Sequence, residues 1–249
     1  MLKLLRNTRK KLLAENRFTR YLIYAIGEII LVVLGILIAL QINEWNNRRI
    51  ESKEAAKTYQ NIRRQITDDL DALKEVVAYN DFHLKAYRYA NKIIISNNRQ
   101  KADSLAMMAM LLSQFSDFHR SSNIYQTLVN SGELRLLKNM DITRKLQQLE
   151  MTYTFVNKLE VMHWDMISNE LPEVLRGVVN YNDMKAVQPE KLFDVEMQNM
   201  FVAIIYLSET KSAVYKEALT EIEELISLID QEVAPLPDLS SSSDPVAQP

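Results

Sequence analysis

The chain contains no cysteine, only four glycines and six prolines in 249 residues. The missing cysteines exclude disulfides, thiolate nucleophiles and thiolate-ligated metal. Gly27 and Gly35 fall inside one apolar run, so Gly132 and Gly177 are all that the remainder has. Two glycines cannot build the loops that cradle phosphates or dinucleotides, and no G-x-S-x-G, P-loop or H-E-x-x-H motif occurs. Four of the six prolines lie within residues 235–249. A chain so short of breakers, with apolar residues recurring at steps of three and four, is predicted to be all-α.

What is present begins with residues 21–40, YLIYAIGEIILVVLGILIAL, in which thirteen of twenty residues are Leu, Ile or Val. A helix of that length rises about 30 Å, the thickness of a bilayer's hydrocarbon core. At about −0.3 to −0.6 kcal/mol each, these residues outweigh the roughly +2.5 to +3.5 kcal/mol of the single acid, Glu28. A cleaved signal peptide has a shorter apolar region and a small-residue cleavage site, and neither fits the exit Ile38-Ala39-Leu40-Gln41-Ile42-Asn43. The segment 21–42 is therefore predicted to be an uncleaved transmembrane helix.

Residues 1–20 carry seven basic side chains and one acid, whereas 41–60 carry four basic and three acidic ones. Basic flanks stay in the cytoplasm, so the N-terminus is expected inside and the bulk of the chain outside the inner membrane. Tyr21, Tyr24 and Trp45 mark the two interfaces. The formal charge of −2 hides +6 on residues 1–20 and hence −8 on the rest, a poor balance for binding nucleic acid. The expected division is a basic cytoplasmic arm (1–20), a transmembrane helix (21–42), a periplasmic helical domain (43–234) and a disordered Pro/Ser tail (235–249).

Within the helical domain, Tyr59, Ile62, Ile66, Leu70, Leu73, Val77, Leu84 and Tyr87 recur at helical spacing, with a longer gap across Asn80. They predict one long helix to about Ile95, without Gly or Pro between it and the span, although Asn43, Asn46 and Asn47 could loosen the junction. Asp103 or Ser104 is expected to cap a helix from Leu105 to about Phe115. Ser121 or Ser122 should open another, reaching Val129. Asn130-Ser131-Gly132 reads as a turn, and Asp141 as the cap of a long helix that Pro172 interrupts. After Pro189 a last long helix, about Val195 to Glu232, should bury Phe201, Ile204, Ile205, Tyr215, Leu219, Ile222, Leu225, Ile226 and Ile229. The whole predicts an up-and-down bundle with no β-structure.

The search for chemistry is short. Glu160-x-x-His163 is half of a di-iron carboxylate motif, but no second copy exists, so a surface or interhelical histidine is the better reading. Asp68-Asp69 and Glu223-Glu224 read as solvated helix faces. Met107, Met108 and Met110 read as core filling rather than a binding groove. No catalytic, cofactor-binding or metal-ligating residue is assigned. In the span, Glu28 and Gly35 are one heptad apart and Gly35-x-x-x-Ala39 is a small-xxx-small step. These residues form either a face for self-association or partner docking, or a lipid-facing anchor with one tolerated acid.

The stretches KKLLAENRF (10–18), YAIGEIILVVLGILIALQINEWN (24–46) and YQTLVNSGELRLLKN (125–139) resemble recurrent segments of a family of uncharacterised single-span membrane proteins common in Bacteroidota. The resemblance implies an inner-membrane protein with a periplasmic helical domain and supplies no activity. It directs attention to the span and to the turn at Ser131 and Gly132 as places of partner contact. The expectation is a membrane-anchored interaction or scaffold protein that meets a protein partner or a second copy of itself, with no cofactor. The alternative is a bundle that senses a small ligand and signals through a membrane partner. A hydrolase ranks third, to be revived by a pocket with convergent polar groups and shifted carboxylates.

Overall fold

The computed structural model describes residues 18–120 and 123–234. Most of the expected basic arm, the expected tail, Ser121 and Ser122 lie outside the described residues. The described residues are almost entirely helical: α1 (Phe18–Ile95), α2 (Ala102–Leu111), α3 (Ile124–Ser131), α4 (Met140–Asp165), α5 (Leu171–Leu175) and α6 (Val195–Val233). The chain divides into two compact units at Ala55/Ala56, and α1 contributes to both.

In the first unit α1 is long and apolar enough to cross a membrane, with an 18-residue window of mean hydropathy 2.7 and none of that window buried. Every Leu, Ile and Val from Leu22 to Ile42 is exposed, as is Trp45. Gly35 and Ala39 are exposed too, and a Cβ placed on Gly35 meets nothing within 4 Å. Helical backbone continues through Asn43, Asn46 and Asn47. Each asparagine costs a helix less than about 0.7 kcal/mol, too little to break a helix secured on both sides.

In the second unit, side-chain pairs give the directions of the long helices. Arg63 meets Asp230 and Asn80 meets Ser208, so α1 and α6 are antiparallel. Lys145 meets Glu224 and Glu160 meets Tyr215, so α4 and α6 are antiparallel. Asp69 meets Tyr153, and Tyr59 meets Asn139, so α1 and α4 run together. The chain returns between them through α2, a non-helical stretch and α3, which make a broken fourth member. The predicted core positions of α1 are buried except Val77, which is half-buried. On α6, Phe201, Ile204, Tyr215, Ile222, Leu225 and Ile229 are buried, while Ile205, Leu219 and Ile226 are half-buried.

Several local expectations are corrected. Helix α2 ends at Leu111 rather than near Phe115. Neither Asp103 nor Ser104 caps it: the N-cap position is Lys101, and Asp103 accepts from the Ala186 amide at 3.2 Å. Asn139, not Asp141, caps α4, its side chain accepting from the amides of Asp141 and Ile142. Asp69 is not solvated but 1% exposed. A two-residue antiparallel pair, β1 (Val179–Asn180) and β2 (Lys185–Ala186), adds minimal β-structure. Pro172 does not interrupt the helix outright. Residues Met166–Glu170 widen into a π turn, and Pro172 falls in the first turn of α5. The wider turn makes room for a ring that cannot donate to the carbonyl four residues back.

The Ser131-Gly132 turn is exposed, and Gly132 closes α3 with φ +72°, its amide donating to the Val129 carbonyl at 3.2 Å. That left-handed backbone is what glycine supplies at a helix C-terminus. Gly132→Ala is expected to lower stability by about 1 kcal/mol, a fall of roughly 2–4 °C in Tm, with Gly132→Asn losing less. Thermal unfolding followed by circular dichroism checks both.

Candidate functional site

Three helices carry polar residues on their buried faces at one level of the second unit. On α4, Leu146, Leu149, Tyr153 and Val156 lead at helical spacing to Glu160 and His163. On α6, Ile204 and Leu207 lead to Ser208, Lys211, Ser212 and Tyr215. On α1, Leu73 is followed seven residues later by Asn80 and then by Leu84. Glu160, His163, Lys211 and Asn80 are each no more than 3% exposed. Leaving such groups buried without partners costs several kcal/mol per ion, so their partners are the question.

The partners are largely backbone groups of the stretch that follows α2. Ser116 is itself buried, and its carbonyl accepts from the Lys211 Nζ. Its hydroxyl donates to Asn80 Oδ1 at 3.1 Å, while the Asn80 amide nitrogen donates to the Ser208 carbonyl at 2.9 Å. Two residues on, the Phe118 amide donates to Glu160 Oε1 at 2.8 Å, and the same oxygen accepts from the Tyr215 hydroxyl at 2.6 Å. The Tyr87 hydroxyl serves the carbonyls of Leu111 and Gln114, at 3.0 and 2.6 Å, where α2 ends. Residues 112–118 are thus strapped across the bundle by side chains from α1, α4 and α6. A buried donor or acceptor left alone costs about 1–3 kcal/mol, which is why this non-helical stretch can lie against the core.

Phe115 stands between the strap and the buried charges. Its ring lies 5.7 Å from that of His163, 5.6 Å from that of Trp164, and 5.6 Å from the Lys211 Nζ. The Lys211 Nζ and His163 Nδ1 are 3.4 Å apart, which puts the ring proton of a neutral His163 on Nε2. Within the described residues neither that nitrogen nor Glu160 Oε2 has a hydrogen-bond partner. Beyond Phe118, whose ring packs 5.3 Å from Tyr153, Arg120 pairs with Glu150 at 2.7 Å. The Tyr153 hydroxyl donates to buried Asp69 at 3.0 Å. On the outer side of the strap, a cavity of about 310 Å³ is lined by Glu75, Val76, Tyr79, Phe115, Ser116 and Asp117.

Burial sets the protonation of the cluster. It pushes the Glu160 carboxyl up from 4.5 to about 7, against the opposing hydrogen bonds from Tyr215 and Phe118 and the Lys211 charge. It draws the Lys211 ammonium down to about 8, with Glu160 and Asp117 resisting. Burial, helped by the Lys211 charge, lowers His163 to about 3, so the imidazole is neutral. The Tyr215 hydroxyl is raised, first by burial and then by Glu160, and stays protonated. Burial thus moves the carboxyl up and the amine down, each against the opposite charge of the other.

The residues singled out in the sequence fare differently. Glu160 and His163 come together with Lys211, Tyr215 and Ser116 as an interhelical cluster. No group of three or more His, Asp or Glu suited to a metal is present among the described residues. Glu28, Gly35 and Ala39 lie in the first unit and Ser131 and Gly132 at an exposed turn, apart from this cluster along the chain. Met108 and Met110 pack against the core while Met107 is exposed. Asn80, Lys211 and Ser116 were not singled out, although the break in the α1 apolar stripe at Asn80 was a visible sign.

Because Glu160 has a raised folded-state value, its contribution to stability is full below about pH 4.5 and is lost as pH rises through 7. His163, neutral in the folded state and protonated in the unfolded state below about pH 6.5, contributes the opposite slope, and Lys211 only a small one near pH 7.5, so the Glu160 part is read against a variant that keeps both. Relative to Glu160→Gln, the native protein should lose about 2–3 kcal/mol of stability between pH 4.5 and 7.5. Urea unfolding across that range measures it, and parallel curves would remove Glu160 as the titrating group.

A family model described as Family of unknown function (DUF6090) matches residues 28–211, from the middle of the apolar run to Lys211. No curated protein and no solved structure matches the chain.

Proposed function

The chain belongs to this family of unknown function, and we propose that it is a membrane-anchored helical interaction protein without enzymatic activity. The observation that carries the reading is the unbroken exposure of Leu, Ile and Val from Leu22 to Ile42 on the helix that also enters the second unit. So much contiguous apolar surface is unfavourable in water and is covered by lipid or by other apolar helices. The basic residues before the run favour a cytoplasmic N-terminus in the inner membrane of a Gram-negative cell such as a member of the Bacteroidota. The helical domain then lies in the periplasm. Glu28, Gly35 and Ala39 supply a face on which a second span, from a partner or another copy, can approach closely.

A second reading, ligand sensing, draws on the strap and its buried Glu160, His163 and Lys211 beside a cavity. The buried Glu160 and Lys211 hold the backbone of the strap, and the strap in turn lines the cavity. In this reading the strap is the element that responds, and the signal passes to a partner through the membrane.

In-cell crosslinking of the full-length protein, followed by mass spectrometry, separates span from domain. Exchange of residues 21–42 for an unrelated apolar span should abolish the crosslinks, and Glu28→Ala and Gly35→Leu should each reduce them several-fold with helicity unchanged. Crosslinks that survive the exchange would move recognition to the helical domain. Absence of any crosslink in the native protein would overturn the interaction reading.

A further inference from the structure

The cavity outside the strap has a composition that selects a ligand. Two of its six lining residues are carboxylates, Glu75 and Asp117, two are the rings of Tyr79 and Phe115, and no lining residue is basic. Tyr79 is 40% exposed and its hydroxyl donates to Gln114 at 3.1 Å, which holds the phenol at the cavity. His119 lies 3.2 Å from Asp117 on the exposed side. The volume of about 310 Å³ is at the small end of the range for small-molecule sites. Carboxylates beside π faces are the recognition chemistry of organic cations, and neither element favours an anion.

The second observation lies behind the same wall. Glu160 and His163, 3% and 1% exposed, each retain an atom without a hydrogen-bond partner among the described residues. Phe115 lies 5.7 Å from the His163 ring and 5.6 Å from the Lys211 Nζ, and it also lines the cavity. Ser116 lines the cavity while its carbonyl holds Lys211. Asp117 faces the cavity, and its charge also reaches Lys211 and Glu160. A cation placed beside Asp117 offsets the charge that helps to keep Lys211 protonated where it meets the Ser116 carbonyl. Occupancy is thereby coupled to the strap without any contact between ligand and cluster.

We propose that the cavity formed by Glu75, Tyr79, Phe115, Ser116 and Asp117 binds a small organic ammonium ion and that its occupancy is felt by the Glu160–Lys211 cluster through the 115–118 strap. The proposal goes beyond the interaction reading, which does not depend on it, and gives the sensing reading a ligand class.

The test is calorimetric titration of the full-length protein in phosphatidylcholine nanodiscs with phenethylammonium, using empty nanodiscs as blank and neutral 2-phenylethanol as the uncharged comparison. Saturable one-to-one binding of phenethylammonium is expected, with at least about tenfold weaker binding of the alcohol. Asp117→Asn and Tyr79→Ala, both at exposed positions, should each weaken binding about tenfold. Glu173→Gln, in a separate cavity of about 470 Å³ beside the π turn, should leave it unchanged. Lys211→Met should alter the affinity although Lys211 does not line the cavity. No saturable binding up to about 10 mM, equal binding of the alcohol, or insensitivity to Asp117→Asn would each overturn the cation site. Unaltered affinity in a folded Lys211→Met variant would overturn the coupling. None of these outcomes bears on the crosslinking of the span, so failure here is distinct from failure of the interaction reading.

Discussion

The constraint on which the second unit depends is the supply of hydrogen-bond partners to a non-helical backbone stretch that lies against a helical core. Residues 112–118 have left the α-helical ladder, and the Ser116 carbonyl and the Phe118 amide are met by Lys211 and Glu160. Tyr215 and Asn80 complete the set through the Glu160 carboxylate and the Ser116 hydroxyl. Each bond adds only about 1 kcal/mol net, but each unmade bond would cost two or three times that. The three long helices must therefore be held in the register that places these groups at one level. Arg63 with Asp230, Arg88 with Glu209 and Lys145 with Glu224 are exposed pairs of small individual worth, and they agree with that register rather than impose it.

The same helix carries both kinds of feature. The apolar run of α1 from Leu22 to Ile42 and the strap contacts from Tyr79, Asn80 and Tyr87 belong to one continuous ladder of helical hydrogen bonds. The long helix expected to run on from the span does so, and Asn43, Asn46 and Asn47, which by propensity could loosen the junction, do not break it. Over a helix of 78 residues, three small penalties are spread among many propagating bonds and are outweighed.

How much of this was legible depends on whether the signal was local. The long helices were readable because Ile62, Ile66, Leu70 and Leu73, or Ile222, Leu225 and Ile229, state a 3.6-residue period within a few turns. Where a helix ends was harder, because α2 stops at Leu111 for a reason that lies on Tyr87, Glu160 and Lys211, far away in sequence. The expected cap at Asp103 fails for a similar reason, its side chain meeting the distant Ala186 amide, whereas Asn139 displaces Asp141 as the cap of α4 through a local bond pattern that lies within three residues of sequence. The candidate site was half visible. Glu160 and His163 drew attention as a motif whose second half was missing. What identified them was instead a pattern shared by three helices, a polar residue on the apolar stripe at Asn80, at Glu160 and at Lys211. No single helix shows that these three interruptions meet.

The bundle would be easier to build without this cluster. A continuous helix through residues 112–118 would satisfy its own amides and carbonyls, and apolar side chains in place of Glu160 and Lys211 would avoid the desolvation of two ions. Packing alone therefore does not account for an interrupted helix and buried charges at the same level. The interruption leaves Phe115, Ser116 and Asp117 lining a cavity with Tyr79 and Glu75, where an uninterrupted turn would direct side chains by helical period alone. The buried pair holds that arrangement from behind. The polar interior thus supports a short irregular segment, and that segment lines the cavity.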